Sequence, residues 1–137
     1  MKKVLIIEDD DIIRSAYSTK LTMEGFQIDV SGDGEEGLKK AMDFSPDLIL
    51  LDMLMPKLNG IDFLKQYDVK GKHPNTKVLV FSNMSVPDQM EEAMRLGAYR
   101  YMTKSSFTPN EITALIKETL SQEPDSASKP ADSSTQA

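Results

Sequence analysis

The sequence predicts an α/β domain, a five-stranded parallel sheet flanked by five helices. Three observations carry this. Short apolar runs such as Val4-Leu5-Ile6-Ile7 and Leu48-Ile49-Leu50-Leu51, each bounded by polar residues, read as strands buried on both faces. Strand and helix signals alternate five times with a period of about 20 to 25 residues, which demands right-handed βαβ crossovers. The chain has 137 residues, 39% apolar and 28% charged, enough to bury a core and ordinary for one globular domain.

The elements follow in order. Val4–Ile7 is the first strand, and a helix runs from about Asp10 to Glu24 with Ile13, Tyr17 and Leu21 at helical spacing and Gly25 as its stop. Gln27–Ser31 is a short strand. Asp33-Gly34-Glu35-Glu36 reads as a capping box for a second helix with Leu38, Ala41 and Met42 on its inner face. Leu48–Leu51 is the central strand. Pro56 and Gly60 punctuate the next loop, and Asn59 caps a helix to about Tyr67. Val78–Phe81 is the fourth strand. A fourth helix from about Val86 to Leu96 stops at Gly97, and Tyr99–Met102 is the fifth strand. Thr108-Pro109-Asn110-Glu111 supplies a cap, an N1 proline and an N3 glutamate for the last helix, whose inner face is Ile112, Leu115, Ile116 and Leu120. From Ser121 onward no large apolar side chain appears. The expected division is a folded domain over 1–120 and a disordered tail over 121–137, since such a segment cannot offset its ordering entropy by burial.

Composition excludes several functions. A net charge of −6 without clustered Lys and Arg argues against nucleic acid as a direct partner. No apolar run has the length of a membrane span, and the four apolar residues after Met1-Lys2-Lys3 are too few for a signal-peptide core. Zero cysteines exclude disulfides and thiolate metal sites, and the expected location is the cytoplasm.

The chemistry gathers at the strand ends. The first strand runs into Glu8-Asp9-Asp10, the third into Asp52, the fourth into Ser82 and the fifth into Lys104. In parallel sheets ligands sit beyond the carboxyl ends of strands, so these groups converge. Carboxylates meeting there repel, and either their pKa values rise or a cation neutralises them. Hard oxygen ligands of this kind suit magnesium, which takes one or two carboxylates and fills its shell with water and substrate phosphate. A carboxylate beside magnesium and an ammonium can accept a phosphoryl group.

With these residues the chain resembles the receiver domains of two-component response regulators over roughly residues 2–120. The motifs are Val-Leu-Ile-Ile-Glu-Asp-Asp, Leu-Leu-Asp-Met-Leu-Met-Pro-Lys-Leu-Asn-Gly, Val-Leu-Val-Phe-Ser-Asn and Gly-Ala-Tyr-Arg-Tyr-Met-Thr-Lys. The resemblance implies a flavodoxin-like, doubly wound sheet of strand order 2-1-3-4-5, the order for which receiver domains are a standard example. It implies that Asp52 accepts phosphate from a histidine-kinase phosphohistidine. Magnesium would be held by Asp9, by Glu8 through water, by Asp52 and by the Leu54 carbonyl. Asp10 is set aside as a ligand because the family's acidic pair directly follows the strand. Lys104 would pair with phosphoryl oxygens, Ser82 would bond the phosphate, and Tyr101 would follow it as the switch aromatic. The implied partners are a sensor histidine kinase or phosphotransfer protein and a separate effector, reached through the fourth helix, fifth strand and fifth helix. Tyr99 and Arg100 stand where the family's dimerising members carry acidic residues, so a monomer or weak dimer is expected.

Three departures bear on this. Ser105 replaces the usual proline after the lysine; a cis bond before a non-proline residue costs about 2.5 to 4 kcal/mol, so a trans bond is expected. Asn83 narrows access to the pocket. Leu54 and Met84 offer no hydrogen bond to an attacking water, which predicts slow autodephosphorylation. Two alternatives fit these residues less well. An aspartyl-phosphate hydrolase would show a second aspartate two residues after the nucleophile, where Leu54 stands. A receiver-shaped interaction module that is never phosphorylated would not need Glu8, Asp9, Asp52, Ser82 and Lys104 together. Elsewhere, His73 reads as a solvated loop residue, most of the nine methionines as core gap-fillers, and Lys39-Lys40 and Glu91-Glu92 as solvated helix faces. Tyr99 and Tyr101 fit either edge-strand packing or a partner surface with aromatic anchors.

Overall fold

The computed structural model describes residues 2–55, 57–83 and 87–121; Pro56, Met84, Val86 and the segment from 122 onward, on which parts of the sequence reading fall, lie outside them. The strands are β1 (Lys3–Ile7), β2 (Gln27–Ser31), β3 (Leu48–Asp52), β4 (Lys77–Ser82) and β5 (Arg100–Thr103). They form one sheet of order β2-β1-β3-β4-β5 in which every pairing is parallel. The helices are α1 (Asp11–Met23), α2 (Gly34–Phe44), α3 (Gly60–Tyr67), α4 (Val69–Lys72), α5 (Pro87–Arg95) and α6 (Pro109–Ser121). The five expected helices are present, and α4 is an extra single turn.

Alternation of side chains along each strand divides the core into two layers. Leu5, Ile7, Ile49, Leu51, Val78 and Val80 face Ala41 of α2, Phe63, Leu64 and Tyr67 of α3, and Ala93 of α5. Val4, Ile6, Leu48, Leu50, Leu79 and Phe81 face Tyr17 and Leu21 of α1 and Ile112 and Ile116 of α6. Each fully buried aliphatic side chain contributes about 1.5–3 kcal/mol relative to exposure. Stability is therefore concentrated in β1, β3 and β4, the strands that end in the candidate site.

The helix ends are set by side-chain caps. Asp10 accepts from the N–H groups of Ile12 and Ile13 at 2.9 and 3.1 Å, and Asn59 accepts from Asp62 at 2.9 Å. Thr108 and Glu111 form both halves of a capping box, at 3.1 and 2.8 Å. Asp33 accepts from Glu36 N–H at 2.8 Å, but the Glu36 carboxylate turns to the Ser31 hydroxyl at 3.2 Å, so this box is half formed.

Several expectations are corrected. Met42 is 45% exposed; Gly34, Gly37 and Ala41 make the buried stripe of α2, and the next residue is rotated off it by the helical period. Met23 and Met94 are exposed as well, and the gap-filling role falls to Met53 and Met102, both buried. His73 is no solvated loop residue: its ring stacks on Tyr67, with centroids 3.9 Å apart and planes 3° from parallel. Lys40 donates to the Val30 carbonyl and lies 3.5 Å from Asp29, which ties α2 to β2. Tyr99 precedes β5 instead of opening it, its N–H donating to the Val78 carbonyl at 2.7 Å. Tyr101 packs against the core layer under α2, α3 and α5. The Lys104–Ser105 bond, by contrast, is trans as expected.

Candidate functional site

Parallel register brings four strand ends to one rim. Ile7 pairs with Leu51, Asp52 with Phe81, and Ser82 with Thr103, so Glu8, Asp52, Ser82 and Lys104 stand at neighbouring levels. The apolar runs decide this: burying them on both faces leaves the first polar side chain of each strand no place but the rim.

Glu8 is fully buried. Its N–H donates to the Ser31 carbonyl at 3.0 Å. One carboxylate oxygen, Oε2, accepts from the Asp10 N–H at 2.9 Å, and the other, Oε1, from Lys104 Nζ at 2.8 Å. Asp52 is 3% exposed; its Oδ2 lies 3.5 Å from the same ammonium, and its Oδ1 accepts from the Leu54 N–H at 3.3 Å. Lys104 is aimed inward by its own N–H, which donates to the Ser82 carbonyl at 2.7 Å. Its ammonium sits 4.8 Å from the centroid of the Phe81 ring.

Two buried carboxylates thus share one ammonium. The Asp52 carboxyl is pushed up to about 7, first by burial and then by the charge of Glu8; Lys104 and the Leu54 N–H pull it down without cancelling the rise. Carboxylate oxygens of Glu8, Asp9 and Asp52 all lie within 4.8 Å of one another, with Asp9 exposed. An all-oxygen donor set that is short of positive charge and open on one side fits a hard divalent cation.

The structure therefore brings together Glu8, Asp9, Asp52 and Lys104, with the backbone of Leu54 beside Asp52 and the buried Ser82 on the adjacent strand end. Tyr101 lies three residues before Lys104, opposite Val80 and below the rim. Asp10 caps α1. The sequence reading missed Arg14, whose guanidinium donates to the Glu8 carbonyl at 2.8 Å and pairs with Asp11. It clamps the acidic loop from behind. The available signal was its position three residues after Asp11 on α1, which puts the two on one helix face.

A parallel sheet of this order, with such a rim, defines the class, and comparison with known proteins agrees. The family model "Response regulator receiver domain" matches residues 4–117, and the chain belongs to that family, the receivers of two-component, phosphorylation-dependent signalling. Among curated proteins it is similar to the alkaline phosphatase synthesis transcriptional regulatory protein PhoP of Bacillus subtilis, 36% identical over 124 residues, covering 87% of this chain and 48% of that protein. It is likewise similar to the transcriptional regulatory protein CpxR of Escherichia coli, 38% identical over 120 residues, with coverages of 88% and 50%. The chain spans about half the length of these relatives. Among solved structures, the CheY-like receiver domain protein of Methanospirillum hungatei superposes with a TM-score of 0.82 at 25% identity, covering 89% of this chain and 95% of that one. The chemotaxis protein CheY4 of Vibrio cholerae gives 0.77 at 28% identity, covering 86% and 98%. Among the described residues no helix is long and apolar enough to cross a membrane.

Proposed function

We propose that residues 1–120 are a phosphorylation-switched receiver in which Asp52 accepts a phosphoryl group from the phosphohistidine of a sensor histidine kinase or phosphotransfer protein in the cytoplasm. The observation that carries this reading is the single ammonium of Lys104 between two buried carboxylates, 2.8 Å from Glu8 and 3.5 Å from Asp52. Asp9, Glu8, Asp52 and the Leu54 carbonyl would hold magnesium. Bound there, the metal supplies charge neutralisation for the transferring phosphoryl oxygens.

The chain's own groups do the rest. An Asp52 carboxylate oxygen attacks phosphorus in line as the P–N bond to the donor imidazole breaks, and the imidazole leaves with the bonding pair and is protonated by solvent. Burial holds the Asp52 carboxyl partly neutral, so the nucleophile is freed when positive charge enters the rim. Lys104, fixed by the Ser82 carbonyl, turns its ammonium to the new phosphoryl oxygens. Ser82 then bonds the phosphoryl group, and Tyr101 follows it, shifting the face made by α5, β5 and α6 between two states that an effector distinguishes.

The test is labelling by acetyl phosphate or phosphoramidate, read by intact mass. The expected result is one phosphoryl group, dependent on magnesium and absent from Asp52→Asn. Stoichiometric labelling of that variant would overturn the assignment. A chain with no labelling and no magnesium–beryllofluoride response in its NMR spectrum would be an interaction module instead.

A further inference from the structure

The amino end of the sheet holds a cavity of about 390 Å³, away from the phosphoryl site. Val69, Met94, Ala98 and Tyr99 form its apolar lining, Lys70 and Lys77 its charged one, and no acidic side chain lines it. The shape is built by a close approach. Gly97 has φ +110°, and a β-carbon there would fall 2.2 Å from Val69 Cγ1, so the turn after α5 meets α4 at a distance that only glycine permits. Lys77 Nζ stands 5.1 Å from the centroid of the Tyr99 ring, which presents cation and aromatic surface together. Met94 is 43% and Tyr99 38% exposed. Neither lysine forms an ion pair with a described residue. Two uncompensated lysines around an apolar floor run against the chain's net charge of −6.

We propose that this cavity docks an acidic peptide segment of a partner protein, one in which a large apolar side chain stands between carboxylates. The volume lies at the low end of ligand pockets, about 300–1,000 Å³, and suits one such side chain. A small inorganic anion would meet the lysines but leave Met94 and Tyr99 uncovered. The chain's own segment after Ser121 carries Glu123, Asp125 and Asp132 but no large apolar side chain to fill the floor. The partner's carboxylates would meet Lys70 and Lys77, while burial of its anchor supplies most of the affinity.

The test uses the full chain and a fluorescein-labelled peptide, Glu-Asp-Leu-Phe-Asp-Glu, followed by anisotropy and by amide chemical shifts. The expected result is saturable binding near about 100 µM that weakens with salt, with shifts centred on Val69, Ala98 and Tyr99. The double variant Lys70→Glu/Lys77→Glu, and the uncharged peptide Gln-Asn-Leu-Phe-Asn-Gln, should each bind about tenfold more weakly or worse. Labelling of that double variant by acetyl phosphate should equal the parent's, which separates lost docking from a lost fold or a failed phosphoryl site. Absence of saturation at about 1 mM peptide, shifts centred elsewhere, or equal binding of the uncharged peptide would overturn the proposal. So would tighter peptide binding by a chain with Glu123→Gln, Asp125→Asn and Asp132→Asn, because the chain's own tail would then be the occupant.

Discussion

At the amino end of the sheet Lys3 donates its backbone N–H to Asp47 at 2.8 Å and its ammonium to the Phe44 carbonyl at 3.1 Å, half-buried and within reach of water. At the carboxyl end Glu8 and Asp52 are buried and divide one lysine between them. The same strands pass through both ends, so the backbone does not account for the contrast. What differs is whether buried charge is matched: the half-buried Lys3 meets acceptors of its own, while Glu8 and Asp52 exceed the one cation between them. A surplus of buried negative charge lowers stability and persists only where something outside the chain is meant to relieve it. The difference supports the carboxyl end as the place of the proposed phosphoryl site.

The sharpest way to break this contrast is to remove the shared cation. Lys104→Met leaves Glu8 and Asp52 without a counter-charge and should cost about 3–5 kcal/mol in denaturant unfolding without magnesium, with part of the loss recovered when magnesium is added. Lys3→Met, at the solvated end, should cost about 1 kcal/mol or less. Equal losses would erase the distinction between the ends.

The next effect is pH dependence. The Asp52 carboxyl titrates near 7 in the fold against 3.8 ordinarily, so the folded chain keeps a proton that the unfolded chain releases. Its contribution is full below about pH 4 and lost as pH rises to about 7, and stability of the metal-free protein should fall across that window by about 3 kcal/mol. Asp52→Asn should flatten the slope and be the more stable protein at pH 7. A slope that survives in the variant would place the strain elsewhere.

A smaller effect should follow from Arg14. Arg14→Ala frees the Glu8 carbonyl and should weaken magnesium binding about tenfold, read by Tyr fluorescence, with partial recovery in Arg14→Lys. A change in unfolding midpoint with no change in magnesium affinity would make Arg14 merely structural. The smallest belongs to the amino end, where Tyr67 donates to Thr76 at 3.3 Å and Thr76 to the Pro46 carbonyl at 3.0 Å. Thr76→Val should cost about 1 kcal/mol and leave magnesium binding as it was.

The sequence was most legible where one physical rule decides alone. The continuous apolar runs of β1, β3 and β4 had to be buried, and the polar residues ending them had to reach the rim, so both the sheet and the acidic cluster could be read directly. The α3 and α6 caps were equally plain because a side chain bonds a backbone N–H three residues on, whereas the Asp10 cap of α1 went unread although the helix start was placed there. Legibility fell where two elements compete for one residue. Asp68 ends α3 in the left-handed region and then accepts from the Gly71 N–H at 3.2 Å, so α4 begins where a loop was expected. Glu36 leaves the cap of α2 for Ser31, and Lys40 crosses to β2, contacts that local spacing cannot reveal. Arg14 escaped notice because its spacing from Asp11 marks only a helix-face pair, while its contact with the site runs to the Glu8 carbonyl, which leaves no trace in residue type.

Gly34 opens α2 at a point where a β-carbon would fall 1.9 Å from the Leu58 carbonyl oxygen. Lys57 lies 3.9 Å from Asp33, which caps the same helix. The chain after Asp52 is thereby keyed to α2, and its motions inherit the helix's inertia. Free surface loops rearrange in nanoseconds to microseconds, whereas collective shifts of packed helices take microseconds to milliseconds. Rearrangement around Leu54 should therefore run on the slower clock. Relaxation dispersion should give Gly34, Glu36 and Leu58 a single exchange rate, and separate rates would show that the loop keeps its own time.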